Sequence, residues 1–215
     1  MPQFLPTSNR PPRVKSKARP ANPDANRLAS ILAELVGDIP HSAEGETSQP
    51  ERRARAIAKR AAIKAAAFSG MLAIPPGPIG IATIIPDLIG IWRLQRQMVA
   101  DIAGAYGTTA ELKTETMVYC LFKHGGAALT RDLVVRAGER FIIQEASVKS
   151  LQIILSRIGV NVSERIITKS LSRFIPLVGA LGLGAYAYYD TAQVAATTIE
   201  LFRLAPEPVP PLLKS

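Results

Sequence analysis

A chain of 215 residues suits one domain with tails, or at most two small domains. Its 26 Lys+Arg against 17 Asp+Glu give a formal net charge of +9, which points to acidic partners: phospholipid headgroups, nucleic acid or an acidic protein. A single cysteine, Cys120, excludes an internal disulfide, and the start Met1-Pro2-Gln3-Phe4-Leu5-Pro6 has no uninterrupted apolar run of the kind a signal peptide needs, so a cytoplasmic location is expected.

Apolar residues make up 47% of the chain but aromatics only 6%, so the core must come from Ala, Ile, Leu, Val and Gly. That mixture favours closely packed helices, and an all-α, compact multi-helix bundle is expected. A positive mean hydropathy of +0.15 in so cationic a chain means that apolar and charged residues are segregated along it.

Residues 1–25 carry five prolines before Asn22, five cations (Arg10, Arg13, Lys15, Lys17, Arg19) and no acid until Asp24. Such a stretch cannot bury enough apolar surface to offset its ordering entropy, so it reads as disordered, either a solvated arm or an electrostatic attachment to an anionic surface. Asn26 is placed to cap a short helix over 27–36, with Leu28, Ile31, Leu32 and Leu35 on one face and Gly37 ending it. Residues 38–50 read as a polar linker. The expected organisation is thus a basic N-terminal region 1–50, a helical domain 51–205 and a Pro-rich tail 206–215.

Over 51–69, Ala54, Ile57, Ala58, Ala61, Ala65 and Phe68 share one helical face. Arg52, Arg53, Arg55, Lys59, Arg60 and Lys64 cover most of the rest, and Ile63 falls among them. The mostly alanine face suits a bundle helix with a solvated basic back better than a membrane-surface helix. On the second reading, Arg52, Arg53, Lys59, Arg60 and Lys64 are the candidate contacts to an anionic surface.

From Ala65 to Pro86 there is no charge, and Pro75, Pro76 and Pro78 forbid a single helix, so a turn is expected at Ile74–Pro78 with a new helix near Ile79. Leu88, Ile91, Leu94, Met98, Ile102 and Ala105 then give a helix over 88–106, with Gly107 as its C′ residue and Thr108 with Glu111 as a capping box for the next. Further helices are expected at about 109–123, 126–145, 147–158 and 163–174, broken at His124-Gly125-Gly126 and Gly159-Val160-Asn161. Between Arg173 and Glu200 the only charge is Asp190.

The two charge-free segments resemble each other: each begins Ile-Pro (Ile74-Pro75, Ile175-Pro176), runs through glycines and reaches one acid, Asp87 or Asp190. A spanning helix needs about 20 apolar residues. The first segment fails through its prolines, and the second would place Asp190 near mid-membrane at about 3 kcal/mol. Small residues at Ala180/Gly184 and Ala192/Ala196 favour close helix packing, so a buried bundle helix is preferred to a span.

Catalytic patterns are weak. Gly182-Leu183-Gly184-Ala185-Tyr186-Ala187 has the form of a dinucleotide-binding turn, but its flanks read as helix rather than strand, and a packing run is the better account. No P-loop, nucleophile elbow or H-E-x-x-H occurs, and two histidines, His41 and His124, cannot build a histidine-rich metal site. No catalytic residue, cofactor or metal is assigned. Asp87 and Asp190 are the acids to watch, because burial without a partner is costly. The preferred account gives Asp87 a cap-like role and pairs Asp190 with Arg93, Arg96 or Arg173.

Together, Pro75–Pro78 with Ile79-Gly80, Pro86-Asp87-Leu88, Trp92-Arg93-Leu94-Gln95, Met98-Val99, Asp101-Ile102-Ala103 and Tyr106-Gly107 make the chain resemble the EcsC family of bacterial proteins. The second part of the likeness is Lys169 to Ala180, with Ile175-Pro176-Leu177-Val178-Gly179-Ala180, and the apolar stretch to Phe202. The resemblance covers about residues 51–204 and implies a helical, apolar domain in a membrane setting beside a transporter, with no active residues to carry over. Two readings stand open: a membrane-associated, non-enzymatic helical protein, peripheral on the inner membrane, or a cytosolic helical scaffold binding an acidic protein. Specific nucleic-acid binding is disfavoured, since aromatics are not interleaved with the cations.

Overall fold

The computed structural model describes residues 23–72, 84–125, 133–137, 140–170 and 176–204. The expected disorder of residues 1–22, the Ile74–Pro78 turn and the 206–215 tail lie outside the described residues. Six helices are described: α1 (Pro23–Gly37), α2 (Pro50–Leu72), α3 (Ile84–Ala105), α4 (Thr114–Phe122), α5 (Val148–Ser170) and α6 (Pro176–Arg203). Short 3-10 turns at Thr109–Glu111 and Lys123–Gly125 flank α4. The expected all-α bundle is what the chain forms, with one small addition, the antiparallel hairpin β1 (Val134–Ala137) and β2 (Arg140–Ile143).

Three long helices, α2, α3 and α6, form one packed unit. Ala65, Ile91 and Ala187 meet in a small apolar cluster at one level of it. Toward the other end Tyr106 lies 6.4 Å from Phe202, so α3 and α6 run parallel. The α2 helix is antiparallel to α6, because Ala66 abuts Gly184 while Glu51 senses the charge of Arg203. A methyl group at Gly184 would sit 3.1 Å from the Ala66 carbonyl oxygen, and one at Gly90 only 2.3 Å from the Phe68 ring. Glycine and alanine let these backbones approach where larger residues would hold them apart.

On the other side α1 pairs with α5, burying Leu28, Leu32, Leu35 and Val36 together with Ile154, Leu155 and Ile158. Between the two layers sits α4, whose residues Thr116–Phe122 are all buried. A helix apolar around its whole circumference belongs in the centre. Its Phe122 meets Trp92 edge to face at 5.8 Å, and most buried apolar residues of both layers join it in one continuous cluster.

Several local expectations are revised. The first helix starts at Pro23 rather than after Asn26, since proline costs nothing at the opening position of a helix, where its missing N–H has no partner. The segment expected as helix over 126–145 contains the hairpin instead. Val134 and Val135 pair with Ile143 and Ile142, a β-branched ladder, and the Gly138-Glu139 dipeptide between the strands has the composition a two-residue connection favours. Gly159-Val160-Asn161 does not break the chain: α5 runs through it, because an internal glycine costs only about 1 kcal/mol and the α1 contact supports the helix.

Gly107 does close α3, with φ of 72°. Its N–H donates to Gly104 O and that of Thr108 to Ala103 O, both at 3.0 Å, the double closure of a Schellman end. Thr108 spends its hydroxyl on Ala103 O at 3.3 Å, so the expected capping box with Glu111 does not form.

Residues 38–49, expected as a free linker, are strapped along α3. Ser42 Oγ donates to Asp101 Oδ1 at 3.1 Å, Gln97 Nε2 donates to both Asp101 Oδ1 and His41 O, and Thr47 N–H donates to Ala105 O at 3.2 Å. The strap lies so close that a Cβ at Gly104 would fall 2.5 Å from Glu44 O. Gly104→Ala is therefore expected to lower stability by about 1–2 kcal/mol in urea unfolding, the forced strap shift outweighing alanine's helix preference. It should also speed proteolysis within 38–49; a variant at least as stable as the parent would refute the close packing of the strap.

Candidate functional site

The first candidate is a polar knot inside the apolar bundle. Asp190, on α6, is only partly exposed and is held from two directions. His124 Nε2 donates to its Oδ1 at 2.8 Å from the 3-10 turn after α4. Gln95 Nε2 donates to its Oδ2 at 2.8 Å from α3, and also to Thr191 Oγ1 at 3.2 Å. An ionised carboxylate only accepts, so it dictates which way the Gln95 amide faces. That leaves Gln95 Oε1 buried with no partner among the described residues, in a residue that is 0% exposed.

The expected pairing of Asp190 with an arginine is not what the described residues show. Arg93 is exposed on α3. Arg96 turns the other way and caps the end of α1, donating from Nη1 to Leu35 O at 2.6 Å and Asp38 O at 2.8 Å, with Nη2 3.4 Å from Asp38 Oδ2. The last carbonyls of a helix need such donors, and a cation there also complements the helix dipole. Arg173 and the side chain of Asp87 lie outside the described residues, although Asp87 itself falls in the first turn of α3. The structure therefore does not bring Asp87 and Asp190 together as a described pair.

His124 and Gln95 escaped notice as partners of Asp190. Gln95 carried a signal: it is the one polar member of the buried row Ile91, Gln95, Met98, Ile102, and a buried amide must find partners. His124 carried none, because its pairing with Asp190 joins residues 66 positions apart. The knot ties three elements together. Cys120, one turn before His124, is fully buried, and burial pushes its thiol up to about 12, far from the thiolate form. Among the described residues no group of three or more His, Cys, Asp or Glu is placed to hold a metal ion.

The second candidate is the outer face of α2. Its inner face, Ala54, Ile57, Ala61, Ala62 and Ala65, is buried against the bundle. Of the five cations expected to contact an anionic surface, Arg53 is committed: Nε and Nη2 each donate to the Glu44 carboxylate at 2.7 Å. Arg53 holds that carboxyl below the usual range, against the opposing pull of partial burial, and Arg60 adds a longer-range contribution. Arg52 makes only an exposed 3.4 Å contact to Gln49, and Arg55 pairs with Glu51. Lys59, Arg60 and Lys64 form no hydrogen bond or ion pair among the described residues. Ile63, 52% exposed, sits among these cations, and one to two turns beyond Lys64 the stripe carries Phe68 at its edge and Met71, 71% exposed. Tyr186, Tyr188 and Tyr189 of α6 are exposed at the same level, Tyr189 to 63%.

Two measurements check the first candidate. Asp190→Ala should cost about 1–3 kcal/mol in urea unfolding, because one N–H of the buried Gln95 amide and His124 Nε2 both lose their acceptor, whereas Arg93→Ala should stay within about 0.5 kcal/mol; equal effects would contradict the assigned geometry. Cys120 should resist a thiol-reactive disulfide reagent at mildly alkaline pH until the protein is unfolded, and rapid labelling of the native protein would show the thiol is not sealed in the core.

Compared with known proteins, the chain finds no counterpart: no family model, no curated protein and no solved structure matches it.

Proposed function

We propose that this is a non-enzymatic, membrane-associated helical protein that lies peripherally on an anionic bilayer such as the bacterial inner membrane. Membership of the EcsC family is part of the proposal and rests on the sequence likeness alone, as does any link to a transport or envelope process. The observation that carries the reading is the exposed stripe of α2, where the cations Lys59, Arg60 and Lys64, unpaired among the described residues, are interleaved with exposed Ile63 and followed by exposed Met71. Cations near an anionic membrane contribute about 1 kcal/mol each, and buried apolar side chains contribute about 1.5–3 kcal/mol each. The two terms act together only on a partner that offers anionic headgroups over hydrocarbon. Among the described residues no helix is long and apolar enough to cross a membrane, which agrees with attachment at one face.

An acidic protein would also engage the three cations, and it is the apolar neighbours that favour lipid. The protein is expected to float with phosphatidylglycerol-containing vesicles at low salt and to be released by high salt or by pure phosphatidylcholine. Replacing Lys59, Arg60 and Lys64 together by Gln should weaken binding about 100-fold, three contributions of about 1 kcal/mol each. Failure of the parent protein to float with anionic vesicles at low salt would sink the reading.

A further inference from the structure

Resting on that membrane reading, we infer that Glu44 is a built-in competitor of the anionic headgroup: it occupies Arg53 at one end of the exposed α2 stripe, and a bilayer engages the whole stripe only by taking Arg53 from it.

Helical geometry puts Arg53 on the contact line itself. Seven residues are just under two turns and eighteen are five, so Arg53, Arg60 and Met71 share one line along α2. Arg60 and Met71 stand exposed on that line, whereas Arg53, its side chain 41% exposed, is held. Its Nε and Nη2 each donate at 2.7 Å to one oxygen of the Glu44 carboxylate, the two-pronged arrangement in which a guanidinium also takes a phosphate. The field of Arg60, about 10 Å further along the line, reaches the same carboxyl and helps to keep it ionised. Glu44 thus holds the place a headgroup phosphate would take on Arg53.

The strap over α3 is built to keep an acid there. From Asp38 to Gln49 it carries three acids, Asp38, Glu44 and Glu46, and no lysine or arginine. The Glu44 backbone is pinned. Its N–H donates to Ser42 Oγ at 3.0 Å, Ser42 donates in turn to Asp101 on α3, and the Glu44 carbonyl packs against Gly104. With that backbone fixed, exchange needs a rotation of the Glu44 side chain and no release of the strap. An ion pair this open to water adds little net stability, on the scale of what one cation gains beside an anionic membrane. A headgroup can therefore displace Glu44 without loosening the fold. Because the bilayer gains only the difference between the two partners, Arg53 contributes less to binding than a free cation does.

The competition is tested on the full chain by titrating phosphatidylglycerol-containing vesicles in flotation. Salt is held at about 0.1 M, where charges more than about 10 Å from the surface are largely screened. Glu44→Gln frees Arg53 and should bind about five-fold tighter, the contribution of one cation. Glu46→Gln removes an exposed acid of the same strap that forms no ion pair among the described residues, and should change affinity less than about two-fold. Adding Arg53→Gln to Glu44→Gln should abolish the gain. Cys120 staying unreactive in every variant checks that the fold is kept. In the parent, the side-chain nitrogen-15 signal of Arg53 should shift on phosphatidylglycerol nanodiscs and stay in place on phosphatidylcholine ones. Equal gains from the two single Gln variants would mean that net charge alone acts. No gain from Glu44→Gln, or a silent Arg53 in a protein that still floats, would place Arg53 outside the contact. Either result overturns the inference and spares the membrane reading, as does a gain that survives Arg53→Gln. Loss of flotation by the parent would remove both.

Discussion

The close approach of α2 to α6 is the constraint on which the rest of the molecule depends. With few aromatics to fill space, the chain obtains density by bringing backbones together, and Gly184 lies directly against the Ala66 carbonyl. Alanine-rich contact of this kind fixes the rotation of α2 about its axis, because only one face is small enough to enter the interface. Once Ala54, Ile57, Ala61 and Ala65 turn inward, Lys59, Arg60, Ile63, Lys64 and Met71 must turn outward. The exposed stripe is thus a by-product of core packing before it is anything functional.

The second layer hangs on this unit through α4. A short helix buried on all sides makes weak demands on orientation, so its position is set by polar ties at its ends. His124 and Asp190 hold its C-terminal side to α6, and Lys123 reaches Glu200 at 3.2 Å on the same helix. Glu115 accepts from Ala146 N–H at 3.1 Å, and Lys113 pairs with Glu145, tying its N-terminal side to the chain just before α5. Arg96 extends from α3 to the last carbonyls of α1. Buried apolar contact supplies most of the cohesion, and these directional bonds select one arrangement among many apolar ones.

The polar knot lies where the charge-free run of α6 meets its first acid. Asp190 is the first charge on α6 after the charge-free run, and Gln95 and His124 satisfy it with directed hydrogen bonds. The acid is thereby kept in the bundle where the charge-free run of α6 ends. In this arrangement the unpartnered Gln95 Oε1 is the cost of satisfying the carboxylate from inside the core.

Composition and periodicity alone determined that the chain would be helical, that the alanine face of residues 51–69 would be buried, and that Gly107 would end a helix. Each of these depends on neighbours within a turn or two along the chain. The helix expected over 126–145 gives way to a hairpin, because Val134, Val135, Ile142 and Ile143 are β-branched and pair across strands, a contact that helical spacing along the chain does not reveal. The unbroken α5, the strap along α3 and the commitment of Arg53 to Glu44 were decided by contacts distant in sequence. The sequence marked Asp190 as an acid in need of a partner, but which partner was a tertiary matter: among the described residues His124 and Gln95 meet it rather than Arg93 or Arg96, because the packing of α3, α4 and α6 brings them within 3 Å. Likewise the sequence showed that cations and apolar residues both lie on α2, while only the burial of its inner face revealed which apolar residues stay exposed beside the cations, since solvent exposure is a property of the whole bundle rather than of any one helix.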